Sequence, residues 1–137
     1  MARTLVRYRP RPFTVTVDGD EHQVDAWMVA VGVTPNYAGG MYVAPSADTS
    51  DGLLDVTIVG PVSRLGFVRT FPKVFSGRHV EHPMVTVLRG RTVELDSPGL
   101  EVWADGEPAG LFPATVTAVP AALRVLVPAG SHLRRPR

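Results

Sequence analysis

The sequence has no cysteine, which excludes a disulfide framework, thiolate zinc ligation and a cysteine nucleophile together. Lysine is almost absent too: Lys73 is the single one, and the other basic side chains are arginines, a bias that points to genome composition before any ligand. A formal net charge of +1 leaves no basic surplus to track a phosphate backbone, so nucleic acid is not an expected partner. No run of about 18 uncharged apolar residues occurs, and the opening "MARTLVRYRPRP" is basic without the apolar stretch of a secretory signal. These absences predict a cytoplasmic protein, with peripheral contact at the inner membrane face as its one route to a bilayer. His22, His79, His82 and His132 show no metal-ligand spacing; Pro83 follows the closest pair, and both are read as loop residues. No serine stands in a G-x-S-x-G setting, so a hydrolase triad has no support.

What is present reads as one β-rich domain. The chain is 137 residues long and 45% apolar, enough for a single core. Thirteen glycines and thirteen prolines punctuate short segments, the pattern of a β protein. Eight of those segments read as strands: 13–17, 24–33, 53–59, 84–88, 92–96, 100–104, 115–119 and 123–127. Most alternate β-branched with polar residues, the period of a strand with one face in a core. The expected fold is mainly β, a β-sandwich or open barrel of about eight short strands, with one helix near 63–76. In that helix Leu65, Val68, Phe71 or Pro72, and Phe75 recur at helical spacing, Ser63 is a candidate N-cap, Gly77 a stop, and Pro72 a bend or break. "ARTLVRYRP" reads as the end of a helix, the domain is expected over 5–128, and 129–137 as a disordered basic tail.

Three stretches carry candidate chemistry. "APSADTSDGLLDV", residues 44–56, brings Asp48, Asp51 and Asp55 within eight positions. Carboxylates and carbonyls from one tight loop suit a hard divalent cation, yet Asp51-Gly52 is equally an ordinary turn, with Asp55 on the polar face of the following strand. "WADGEPAG", residues 103–110, sets Asp105 and Glu107 around Gly106. A carboxylate at a strand end can serve as a general base, but Asp-Gly is also a common hairpin dipeptide, and Asp18-Gly19 is an equivalent pair. In "PNYAGGMYVAP", residues 35–45, Gly39 and Gly40 allow close backbone approach to a ligand, or simply a bend.

Taken in order, "YAGGMYVAPSADTSDGLLDVTIV", "SRLGFVRTFPKVFSGRHVEHPMV", "WADGEPAG" and "PAALRVLVP" resemble the C-terminal domain of the diacylglycerol kinase and sphingosine kinase superfamily, in its bacterial lipid kinase branch. The resemblance runs over roughly residues 5–128 and preserves the order and spacing of four motifs. In that family an N-terminal α/β domain binds ATP through Gly-Gly-Asp-Gly-Thr, and the β-rich domain completes the active site. The resemblance implies that Asp48, Asp51 and the Leu53 carbonyl hold a structural Mg²⁺. It further implies that Asp105 is the general base for a lipid hydroxyl such as that of diacylglycerol, with Glu107 supporting; Gly39 and Gly40 are the expected cofactor-binding residues. Asp55 is not among the implied ligands and keeps its plain strand role.

This sequence departs from the family in stated places. Gly-Gly-Asp-Gly-Thr is absent, Ala38 stands where a third glycine is usual, and Val33 stands where many relatives carry asparagine. The expectation is therefore a lipid kinase domain that is inactive by itself and works only with a nucleotide-binding domain. The alternative is a non-catalytic β domain that binds lipid, an anionic membrane surface through Arg64, Arg69, Lys73 and Arg78, or a partner protein, self-association included.

Overall fold

A computed structural model describes residues 9–126. Nine strands order them: β1 (Arg11–Val17), β2 (Asp20–Ala26), β3 (Met28–Gly32), β4 (Leu54–Val59), β5 (Val85–Gly90), β6 (Thr92–Asp96), β7 (Glu101–Ala104), β8 (Glu107–Leu111) and β9 (Ala114–Thr117). One α-helix, α1 (Arg64–Thr70), precedes β5, followed by 3₁₀ turns at Phe71–Ser76 and Arg78–Glu81. The strands form three antiparallel sheets in the orders β2-β1-β6-β9, β3-β4-β5 and β7-β8. None of these sheets closes into a barrel, and the architecture is the expected sandwich-like one.

Alternation decides which side chains meet. Phe13, Val15 and Val17 of β1, with Val93 and Leu95 of β6, point inward onto Leu54, Val56 and Ile58 of β4, forming one buried cluster between the two larger sheets. Val15, Val56 and Val93 are fully buried, each contributing about 1.5–3 kcal/mol of apolar transfer free energy. At the end of β5 the backbone comes so close to β1 that a side chain on Gly90 would collide with Val17 and Asp18.

The middle strand β4 is buried on both faces. Asp55 and Thr57, at its alternate positions, point away from the sandwich core and are fully buried nonetheless. The segment between β3 and β4 covers them: Thr57 Oγ1 donates to the Val43 carbonyl at 2.9 Å, and Ser46 Oγ donates to Asp55 Oδ1 at 2.9 Å. Asp55 stands on the polar face of its strand, as expected, but that face is covered, so it is an interior residue.

Several boundaries also differ. The segment 24–33 is two strands, broken at Trp27, whose N–H donates to the Val59 carbonyl at 2.7 Å where the chain passes from the first sheet to the second. β8 is an additional strand, "EPAGL", hidden in the sequence by Pro108 and Gly110, which are rare in paired strands. The expected strand at 123–127 is absent over its described residues: Leu123, Val125 and Leu126 are exposed, and no described strand pairs with them. Alternation makes a strand only where a sheet edge accepts its backbone groups. The readings of residues 2–8 and 129–137 fall outside the described residues.

The helical segment begins as expected: Ser63 Oγ accepts from Gly66 N at 3.0 Å. Pro72 has no N–H to return to the preceding turn, so the α-helix gives way to a 3₁₀ turn that ends at Gly77 in the left-handed region, φ 71°. The orientation is the surprise. Leu65, Val68, Phe71 and Phe75 are between 48% and 62% exposed, so the apolar stripe faces outward. Phe67 makes the inward contact, its ring 5.9 Å from that of Trp27; Phe71 stacks on Phe67 at 5.7 Å and meets Phe75 edge-on at 6.2 Å. His79, expected in a loop, lies in the second 3₁₀ turn and is buried, its Nε2 at 3.3 Å from the Val43 carbonyl. Burial holds its imidazole below the usual histidine pKa, and the Val43 contact opposes that in part.

Candidate functional site

The loop that enters β4 is organised by its own aspartates. Asp48 Oδ1 accepts from Ser50 N at 2.9 Å and from Ser50 Oγ at 2.6 Å. Asp51 Oδ1 accepts from Leu53 N at 2.8 Å, with Gly52 between them in the left-handed region, φ 72°. Each aspartate folds the chain around its own carboxylate, the local reason these residues form turns. Asp48, Asp51 and Leu53 are thereby brought into one short loop, as the sequence suggested.

Behind the loop lies a feature that sequence reading missed. Asp55 stands directly opposite Arg89 in the β4–β5 register. Arg89 Nε donates to Asp55 Oδ2 at 3.3 Å, and Arg89 Nη2 is ion-paired with Asp51 Oδ2. One guanidinium therefore bridges the loop carboxylate and the buried strand carboxylate, a two-pronged contact that suits arginine's planar fork. The signal was there only as opposite charges on two strands; the pair exists because the register aligns them.

No group of three or more His, Asp or Glu side chains placed to hold a metal occurs among the described residues. A divalent cation at this loop would accordingly rely on the Asp48 and Asp51 carboxylates with the Leu53 carbonyl. Those donors are all oxygens, the chemistry Mg²⁺ prefers, so the residues fit it. One Asp51 oxygen is already held by a positive charge.

The paired glycines sit in a tight turn, Ala38–Gly40, closed by Tyr37 N donating to the Met41 carbonyl at 2.7 Å. Gly39 and Gly40 have φ of 75° and 78°, and a Cβ on either would meet no protein atom within 4 Å. Backbone handedness, not crowding within the chain, is what demands glycine here. The turn is tied to the helical segment, Tyr42 N donating to the Val74 carbonyl at 2.9 Å.

Asp105 and Glu107 lie on a separate element, the β7–β8 hairpin, at the turn and at the start of the returning strand. Its base is fastened to the core by Phe112, whose ring meets that of Phe13 edge-on at 5.9 Å. Asp105-Gly106 has φ of 50° and 90°, and Asp18-Gly19, between β1 and β2, has 49° and 96°. The two turns share a backbone conformation, as the shared dipeptide implies. Their carboxylates have opposite fates. Asp18 accepts from Arg91 N at 2.9 and 3.0 Å and from Thr92 N at 2.8 Å, and these backbone donors hold its pKa below the usual carboxylate value. Asp105 is exposed and takes part in no hydrogen bond or ion pair among the described residues. Tertiary contact thus separates a structural Asp-Gly turn from one whose carboxylate is left to solvent.

No helix among the described residues is long and apolar enough to cross a membrane. Residues 1–127 match the family described as YegS C-terminal NAD kinase beta sandwich-like domain. A diacylglycerol kinase of Mycobacterium tuberculosis is 46% identical over 129 residues, 93% of this chain and 42% of that protein. A diacylglycerol kinase of Staphylococcus aureus is 29% identical over 103 residues, 73% of this chain and 32% of that protein. The chain thus spans less than half the length of the curated relatives it matches. Among solved structures, a candidate diacylglycerol kinase of Bacillus anthracis str. Sterne superposes with a TM-score of 0.69 at 21% identity, over 86% of this chain and 39% of that one. A diacylglycerol kinase of the same organism gives 0.57 at 18% identity, over 88% and 47%. These two show the same fold. With the family matched over nearly its whole length, the chain belongs to the diacylglycerol kinase-like family, as its YegS C-terminal β-sandwich domain.

Proposed function

We propose that this domain supplies the lipid-side half of a kinase that transfers the γ-phosphoryl group of ATP to a lipid hydroxyl such as that of diacylglycerol. The observation that carries this reading is the contrast between the two Asp-Gly turns. Asp18 is consumed by structure, whereas Asp105 stands on a hairpin tip with its carboxylate open to a substrate. In the proposed reaction Asp105 accepts the lipid hydroxyl proton as that oxygen attacks the γ-phosphorus. The bond from phosphorus to the β-phosphate oxygen breaks, and ADP departs with the electron pair. Glu107, one residue beyond the turn, is the supporting carboxylate on the returning strand. Gly39 and Gly40 offer an open backbone turn that a ligand can approach closely. A Mg²⁺ held by Asp48, Asp51 and the Leu53 carbonyl would neutralise the loop carboxylates.

ATP binding is assigned to a nucleotide-binding domain working with this one. The purified chain incubated with ATP, Mg²⁺ and diacylglycerol is expected to form no phosphatidic acid. Joined to the part of the M. tuberculosis relative that this chain does not match, it should form it readily. Turnover by the chain alone would overturn the division of labour; a folded but inactive fusion would overturn the kinase reading.

The outward stripe of Leu65, Val68, Phe71 and Phe75 favours a second reading, in which this segment rests on an anionic membrane. Arg69 and Lys73 are exposed beside it, while Arg78 pairs with Glu81 at 3.4 Å. At about 1 kcal/mol per basic residue near an anionic surface, the two should favour phosphatidylserine vesicles over neutral ones about thirtyfold at low salt. Co-sedimentation should show that preference and its loss at high salt. Equal or no binding to the two vesicle types would exclude it.

A further inference from the structure

The Arg89 guanidinium engages two carboxylates of different character: Asp55, fully buried and also held by Ser46, and Asp51, at the loop surface. The Asp55 side is fixed by strand register and by burial. The Asp51 side is neither, because Asp51 lies in a turn and Arg89 is 41% exposed. Asp51 has two carboxylate oxygens. Oδ1 closes the turn by accepting from Leu53 N, and Oδ2 is the one paired with Arg89. The Asp51 oxygen that makes no turn hydrogen bond is the oxygen the guanidinium holds.

We propose that Arg89 is an internal competitor of the divalent cation for Asp51, an inference that rests on the cation reading of the loop. Guanidinium and cation exclude one another at Oδ2. When the cation binds, Arg89 withdraws onto Asp55, which stands directly opposite it in the β4–β5 register. When the cation is scarce, Arg89 supplies the positive charge and keeps the loop folded. Arg89 is thus a positioning residue that sets the cation concentration at which the loop changes partner. A lysine could not do the same, since a single ammonium lacks the planar fork that spans two carboxylates.

The test compares Mg²⁺-dependent melting of the chain with that of the double variant Asp55→Asn/Arg89→Met. The double variant removes one negative and one positive charge, so through-space effects on Mg²⁺ nearly cancel, and no unpaired charge is left buried. Loss of a competing, partly exposed ion pair should lower the Mg²⁺ midpoint about fivefold. A midpoint equal to that of the unaltered chain overturns the competition while leaving the cation reading in place. Melting indifferent to millimolar Mg²⁺ in both proteins overturns the cation reading and the competition with it. On the unaltered chain, the Arg89 Nε–H resonance should move during the Mg²⁺ titration with the same midpoint as the melting temperature. Mg²⁺ binding that leaves that resonance in place also overturns the competition.

Discussion

Once a nucleotide-binding domain restores turnover, Asp105→Asn should lower kcat about 10²–10⁴-fold, the range a positioned general base contributes. The substitution is nearly isosteric. Asparagine accepts the left-handed backbone at φ 50° as aspartate does, and no hydrogen bond or ion pair of Asp105 is lost among the described residues. The melting temperature should therefore stay within about 2 °C of the unaltered chain. KM for the lipid should change little, since the proton is taken only as the transition state forms. A variant that keeps most of its kcat would sink the assignment of Asp105 as base.

Arg89→Met alone should lower the melting temperature by about 10 °C. Asp55 is fully buried, and the substitution removes its one cationic partner among the described residues while leaving only the Ser46 hydroxyl in contact. Breaking a buried pair on one side costs about 3–5 kcal/mol, because the remaining carboxylate stays uncompensated. The low end applies here, since Arg89 is 41% exposed and water screens part of the interaction. For a domain of this size about 3 kcal/mol corresponds to a shift of that order. Adding Asp55→Asn should recover most of the loss, because the amide still accepts from Ser46 without carrying a charge. A loss as large in the double variant would mean that the arginine stem, not the ion pair, holds β5 to the loop.

Together the two substitutions separate roles that one sequence motif blends. Asp105 is expected to matter for chemistry and hardly for stability, whereas Arg89 is expected to matter for stability first and for the loop through it. The difference follows from where each charge sits: one on a hairpin tip in water, the other across a strand pair from a carboxylate that has no water.

The sequence by itself determined the β character, most strand positions, the Ser63 cap and the Gly77 stop, because alternation, turn dipeptides and capping act over a few residues. It also determined the loop of Asp48, Asp51 and Leu53, since each aspartate folds its own neighbours. Only the tertiary structure decided the rest. Trp27 breaks an apolar run because two sheets meet there, a fact invisible along the chain. Leu65 to Phe75 has the spacing of a buried stripe, yet which face turns inward depends on what the rest of the domain offers it. Two Asp-Gly turns of the same backbone shape became different residues only when Arg91 and Thr92 folded against Asp18 while Asp105 gained no hydrogen bond or ion pair among the described residues. Asp55, read as a polar strand position, became an interior charge because residues 43–46 close over it and the β4–β5 register delivers Arg89. Local physics shapes a turn from its own atoms, but the partner of a charge is set by chain folded from elsewhere.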